Sequence, residues 1–325
     1  MTLVEYFRSL GRRGVVPVLG YPGLIIENTT TEQCLRDPDL HLRVVLSNLA
    51  HYGPDAALPL LDLTVEAESF GIKPIFNGCE APQIRSYLPL EKVATGTRAI
   101  SANRISIMID VAKKMAEDVK SIPKGAYITG PFTVAGQIIG VEPLLLGLYK
   151  QPSMVSQLLE QSTLTVIDYA RHLADTGIDF LVMADPTSSL ISPKQFDEFA
   201  KLPIAQVVNA VRKEIVLHIC GHSGHLLQRM VETGVAALSL DNNVKLTDAV
   251  ATAPSKVLIF GNYPPTDLVF KRPETIVTEV RQMMAPVAQF SNVVVSTGCD
   301  IPGSAPPVNI RALIDSAKSS QIQAV

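Results

Sequence analysis

The chain has 325 residues, of which 47% are hydrophobic and 18% charged, so it can bury a large core and intrinsic disorder is excluded as its main state. Its 28 Lys and Arg against 31 Asp and Glu give a formal charge of −3, with 6% aromatics and no Trp. That leaves neither the basic surplus nor the stacking surface expected of a nucleic-acid binder. Four Cys in this length make no disulfide framework. No secretory pattern is seen in MTLVEYFRSLGRRG, and no uncharged apolar run approaches the ~18–20 residues of a membrane span. The expectation is a cytoplasmic protein without a membrane span and with reduced thiols.

Along the chain, short apolar runs alternate with helical stretches. The runs are residues 15–19, 56–61, 126–129, 180–184, 215–218, 237–240, 257–260 and 293–296. They are continuously apolar, as strands buried on both faces should be. Eight such runs predict a (β/α)8 barrel spanning residues 1–325 as one domain, with an open doubly wound sheet as the other arrangement. Neither G-x-G-x-x-G nor G-x-x-x-x-G-K-[ST] is present, which disfavours nucleotide-binding versions of such a sheet. Pro22-Gly23 reads as a tight turn. The stretch 72–104 is broken by prolines and charges and reads as an insertion or lid. Helices are predicted over 153–176, capped by Ser153, and from Ser192-Pro193, with Ser as N-cap and Pro in the first turn. Two more, over 274–285 and 308–318, close the chain.

The sharpest local feature is LHICG (217–221). In an extended segment, residues two apart point to the same side, so His218 and Cys220 would stand together at a strand end. In a barrel, that end is the active-site face. A second such end is STGCD (296–300), which puts Cys299 on the same rim. Two thiolates and an imidazole suit Zn²⁺, and three protein ligands leave one position open for a substrate. By spacing alone the pattern also fits a buried cysteine and a hydrogen-bonded structural histidine. His222 and His225 offer a rival cluster, but they fall where a helix should begin and read better as cap or surface. Cys34 reads as core and Cys79 as incidental.

ITGPFTVAGQIIG (128–140), FLVMADPTSSLISPKQFDEF (180–199), VLHICGHSGHLLQRMVETGVAALSLD (216–241), IFGNYPP (259–265) and STGCDIPGSAPPVNIRALIDSAK (296–318) together resemble the uroporphyrinogen decarboxylase superfamily of (β/α)8 barrels. Within it, the chain is most similar to the zinc-dependent methylcobamide (corrinoid):coenzyme M-type methyltransferases. The resemblance covers most of the chain and is densest after residue 126. It implies Zn²⁺ on His218, Cys220 and Cys299. It also implies a cobalamin presented by a separate corrinoid protein that docks over the barrel mouth. The methyl group would pass to a zinc-bound thiol such as coenzyme M, or in reverse would come from a methoxylated compound being O-demethylated. The decarboxylase proper carries an Arg-rich M-R-Q-A-G-R segment near its N-terminus. Here that region reads LGRRGVVPVLGYPG, with Arg12 and Arg13 but not the motif. A metal-free decarboxylase-like or small-molecule-binding barrel is the alternative.

Several acidic residues follow apolar runs and are candidates for the same rim. Asp62 is either a catalytic group or a helix N-cap, and Glu66, one helical turn on, a proton acceptor or hydrogen-bond partner. Asp185 would orient substrate or cap the following turn. Asp241 is a candidate partner for His218 or a transient fourth zinc ligand. Asn262 and Tyr21 are candidate substrate- or cofactor-binding residues.

Overall fold

The computed structural model describes residues 1–93 and 103–320. Six parallel strands run β1 (Gly125–Thr129), β2 (Phe180–Ala184), β3 (Glu214–Ile219), β4 (Ala237–Leu240), β5 (Leu258–Tyr263) and β6 (Val293–Thr297), each paired with the next in sequence. The remaining two staves are the extended segments around Val15 and Ala57. Val16 N–H donates to Val295 O (2.8 Å), Asp55 N–H to Val15 O (2.8 Å) and Gly125 N–H to Ala57 O (2.9 Å). These bonds close the ring, and the fold is a (β/α)8 barrel. The first two apolar runs were expected to be strands but form isolated bridges instead. The reason is in their sequence: Pro17 and Pro59 have no N–H to give to a ladder.

Side chains alternate along each strand between two apolar clusters. Ile128, Leu181, Met183, Leu217 and Ile259 point outward under the helices. Tyr127, Phe180, Val182, Val216 and Phe260 point into the barrel. Both faces are buried, which is why the runs read as continuously apolar. The N-terminal helix Leu3–Ser9 plugs the end of the barrel where the strands begin: Leu3 and Phe7 belong to the interior cluster, and the Phe7 ring meets Phe260 edge to face at 5.6 Å. The opposite, C-terminal end is left to the loops.

The helices follow the sequence closely, with two corrections. Pro22-Gly23 does not make a turn but lies inside the helix Gly20–Ile26. Gly23 is there for close packing, because a Cβ would come within 2.8 Å of Val44 O on the helix Pro38–Tyr52. The long helix is Pro152–Ala174, and Ser153 lies inside it rather than capping it. Pro152 takes the first helical position, where its missing N–H costs nothing. Ser192 does cap, in a reciprocal pair with Gln195, and Pro193 follows it. The last two helices are Pro273–Met284 and Pro307–Lys318.

Within 72–104, Ile75 and Gln83 form an antiparallel bridge, and Leu90 and Val93 of a short helical turn are buried. Residues 94–102, the rest of the proposed lid, lie outside the described residues. Beyond them the helix Asn103–Asp118 begins, and Arg104 on it is buried beside Asp62 and Glu68. Among the described residues no single helix is long and apolar enough to cross a membrane.

Candidate metal centre

His218 is the penultimate residue of β3, and its neighbour across the sheet is Ser239 on β4. Its Nδ1 lies 3.0 Å from Ser239 Oγ and 3.2 Å from Ser239 O. A carbonyl only accepts, so Nδ1 carries the proton and Nε2 keeps its lone pair. That lone pair faces Cys220 Sγ at 2.6 Å. Cys299, just past β6, brings its Sγ to 3.5 Å from that of Cys220. The one His/Cys/Asp/Glu grouping of three with metal-binding geometry among the described residues is this set, its ligand atoms all within 4.8 Å of one another. The loops can approach because residue 298 is Gly: a Cβ there would sit 2.6 Å from Asn242 N.

The two thiols divide one proton between them. A hydrogen bond from Cys220 pulls the Cys299 pKa down to about 4, against the cost of burial. The same bond, with burial, pushes Cys220 up. A soft nitrogen lone pair, a thiolate and a second thiol, all turned toward one point, fit Zn²⁺ well. Because Ser239 fixes the ring, Ser239→Ala is expected to weaken Zn²⁺ affinity about 10–100-fold without unfolding the protein, measured by competition with a chromogenic chelator.

A cavity inside the barrel ends at this centre. Val16, Val182, Val216 and Phe260 make its apolar walls, and Tyr127, His218, Ser239, Cys299 and Asp300 lie among its lining. Asp300 was missed by sequence reasoning, though it directly follows Cys299. Its Oδ1 is buried without a hydrogen-bond partner, and burial next to the Cys299 sulfur raises its pKa well above the usual carboxyl range. Ser239 was missed too. Its signal is strand parity: it lies two residues before Asp241, on the inward face.

The other sequence candidates are tied up in structure. Asp241 Oδ1 accepts from Asn243 N–H (2.9 Å) and Nδ2 (2.7 Å), so Ser239, not Asp241, holds the imidazole. Asn262 Nδ2 donates to Asp241 O (2.7 Å) and Val244 O (2.6 Å), clamping the turn after β4. Asp185 accepts from Thr133 N–H (2.7 Å) in the first turn of the helix Pro131–Ile139 and from Ser188 Oγ (3.0 Å). It is fully buried, which raises its pKa. Asp62 is ion-paired with Arg104 and accepts from Thr64 N–H (2.8 Å). Glu66 accepts from Thr129 N–H (2.6 Å) and Oγ1 (2.7 Å), and burial lifts its pKa to about 7. Tyr21 Oη donates to Leu61 O (3.1 Å). His225 bonds the carbonyls of His222 and Ile191, as a structural residue at a helix start would. Cys34 is buried in the core, and Cys79 donates to Thr29 O (3.4 Å).

The fold is thus a closed parallel barrel whose rim sets a His-x-Cys strand end against a Gly-Cys strand end. The chain belongs to the uroporphyrinogen decarboxylase (URO-D) family, whose pattern matches residues 17–320. It is 28% identical to the methylated-thiol–coenzyme M methyltransferase of Methanosarcina mazei, over 83% of this chain and 74% of that one. It is 25% identical to the methylcobamide:CoM methyltransferase MtaA of Methanosarcina barkeri, over 94% and 90%. The uroporphyrinogen decarboxylase of a Synechococcus strain is also 25% identical, over 74% and 71%. Among solved structures, a methyltransferase from Methanosarcina mazei has the same fold, with a TM-score of 0.87 at 22% identity, covering 97% of this chain and 96% of that one.

Proposed function

We propose that this chain is a zinc-dependent methyltransferase. In this reading it moves a methyl group between a cobalamin on a separate corrinoid protein and a small substrate held at the barrel mouth. The observation that carries it is the convergence of His218, Cys220 and Cys299, whose ligand atoms lie within 4.8 Å of one another at the end of an apolar cavity. The methyltransferase relatives support it by their names.

His218, Cys220 and Cys299 would hold the metal. Zn²⁺ there would keep a thiol deprotonated at neutral pH or stabilise charge on a departing oxygen or sulfur. Both directions of transfer, to a thiol or from a methoxylated compound, fit this chemistry. Ser239 would orient His218, and the apolar walls would exclude water from the reacting atoms. Glu66, Asp62 and Asp185 would act by holding the rim loops in place, since each already spends both oxygens on neighbouring donors, and Asp241 would hold its own turn through Oδ1.

A decarboxylase acting on a many-carboxylate substrate would need free cationic clamps. Arg12 instead forms a two-pronged pair with Asp55 (2.7 and 2.8 Å), and Arg13 is buried against main-chain carbonyls such as Val287 O and Val293 O (each 3.1 Å). Both belong to the scaffold, which weighs against that alternative.

The test is metal content and methylcobalamin demethylation, followed by absorbance, for wild type beside Cys299→Ser. About one zinc per chain is expected in the wild type, with zinc and methyl transfer both lost in the variant. Wild-type protein that is purified without chelators and contains no zinc would overturn the proposal.

A further inference from the structure

Of the polar side chains that line the barrel cavity beside the metal ligands, the Tyr127 hydroxyl and Asp300 are left to meet a ligand. Ser239 is engaged with His218, and Ser296 Oγ donates to Thr297 O (3.2 Å). Asp300 lines the same cavity, and its Oδ1 is buried with no partner. A buried polar atom without a partner is costly, and such atoms are expected where a ligand or water completes the bonding. Among the described residues lining the cavity there is no Lys or Arg. Arg104, on the helix that follows the 72–93 segment, is already paired with Asp62 and Glu68. A ligand with a fixed negative charge would enter an apolar chamber with no counter-ion, which is heavily penalised.

We infer that the substrate of this centre is an uncharged small molecule whose hydroxyl, amide or similar group hydrogen-bonds Asp300. The inference rests on the proposed methyltransferase reading and narrows it. It separates this chain from relatives named for coenzyme M, an ethanethiol carrying a sulfonate. A hydroxyl or amide satisfies a carboxyl group whether that group accepts or donates, so the argument needs no particular protonation state. Asp300 would then determine specificity without forming or breaking a bond.

Two thiols that differ only at the far end test this. Binding of 2-mercaptoethanol and of 2-mercaptoethanesulfonate to the zinc-loaded protein is compared by calorimetry, with zinc content measured on the same samples. The uncharged thiol is expected to bind roughly tenfold tighter or more. Asp300→Ala should weaken 2-mercaptoethanol roughly tenfold and shrink that preference, whereas Asp300→Asn, which keeps a hydrogen-bonding group, should retain most of it. Equal or tighter binding of the sulfonate to zinc-replete wild type would overturn the inference and leave the methyltransferase reading standing. An undiminished preference in Asp300→Ala would overturn the role of this residue. Zinc-replete protein that binds neither thiol would overturn the inference alone, and zinc-free protein would overturn both readings together.

Discussion

Arg104→Met is expected to cost the fold about 3–5 kcal/mol, seen as a lower urea midpoint with little change in slope. Arg104 and Asp62 are each only 2% exposed at the side chain and form a direct ion pair. Arg104 Nε also bonds Glu68 (3.0 Å), Nη2 donates to Thr64 Oγ1 (2.8 Å), and the guanidinium lies 5.3 Å from the Phe76 ring centre. Removing the cation leaves two carboxylates, one of them deeply buried, without their counter-charge. Adding Asp62→Asn should recover part of the loss, because Asn keeps an oxygen for Thr64 N–H and carries no charge. Purely additive costs in the double variant would mean that the two charges are not coupled. The cluster also ties the helix Asn103–Asp118 to the loop beside the mouth, so the variant should respond to protease in this region before it unfolds globally.

The second large effect is one of pH. Glu66 is fully buried, and burial outweighs its two bonds from Thr129, with Asp62 adding a little repulsion, so its pKa rises to about 7 from an ordinary 4.5. The folded protein therefore binds a proton on Glu66 that the unfolded chain has released. Between about pH 4.5 and 7 the folded state holds more protons, so its stability falls as pH rises. The contribution is fully present below the unfolded value and is lost as pH passes the folded one. The shift corresponds to up to about 3 kcal/mol. Glu66→Gln removes the titration, so the variant should match wild type near pH 4.5 and exceed it by about 1–3 kcal/mol at pH 8. The amide is well placed for this: its oxygen can accept Thr129 N–H, and its NH₂ can donate to Thr129 Oγ1, whose proton can then turn to Leu63 O (3.0 Å). Parallel pH curves for the two proteins, measured by urea unfolding, would refute this account. Glu66 is not among the cavity-lining residues, so methyl transfer should survive the change, whereas a proton acceptor in the reaction would lose it.

Most of the metal centre was legible before folding because its signal is local. His218 and Cys220 are two apart on one strand, and Gly-Cys at 298–299 ends another. The second rank of the site was not legible. Asp241 drew attention as a charged residue at a strand end, but cross-strand register places Ser239 opposite His218. Asp62, Asp185 and Asn262 were likewise picked out by chain position. Their partners Arg104, Thr133 and Val244 lie 18 to 52 residues away, and no spacing rule reaches them.

The sequence by itself marked the six runs that become strands, since an apolar run that must be buried on both faces admits little else. It also determined that imidazole and thiol leave β3 on one side, since the pleat repeats every two residues. The tertiary structure decided what those groups meet. Cys299 reaches Cys220 across 79 residues only because parallel strands in a closed ring deliver all their C-terminal ends to one rim. The prolines of the first two runs reduce their ladders to single bridges, yet closure survives because the apolar interior and the N-terminal plug hold the ring together. The same closure places Asp300 in the lining of the barrel cavity, with its Oδ1 buried and without a hydrogen-bond partner.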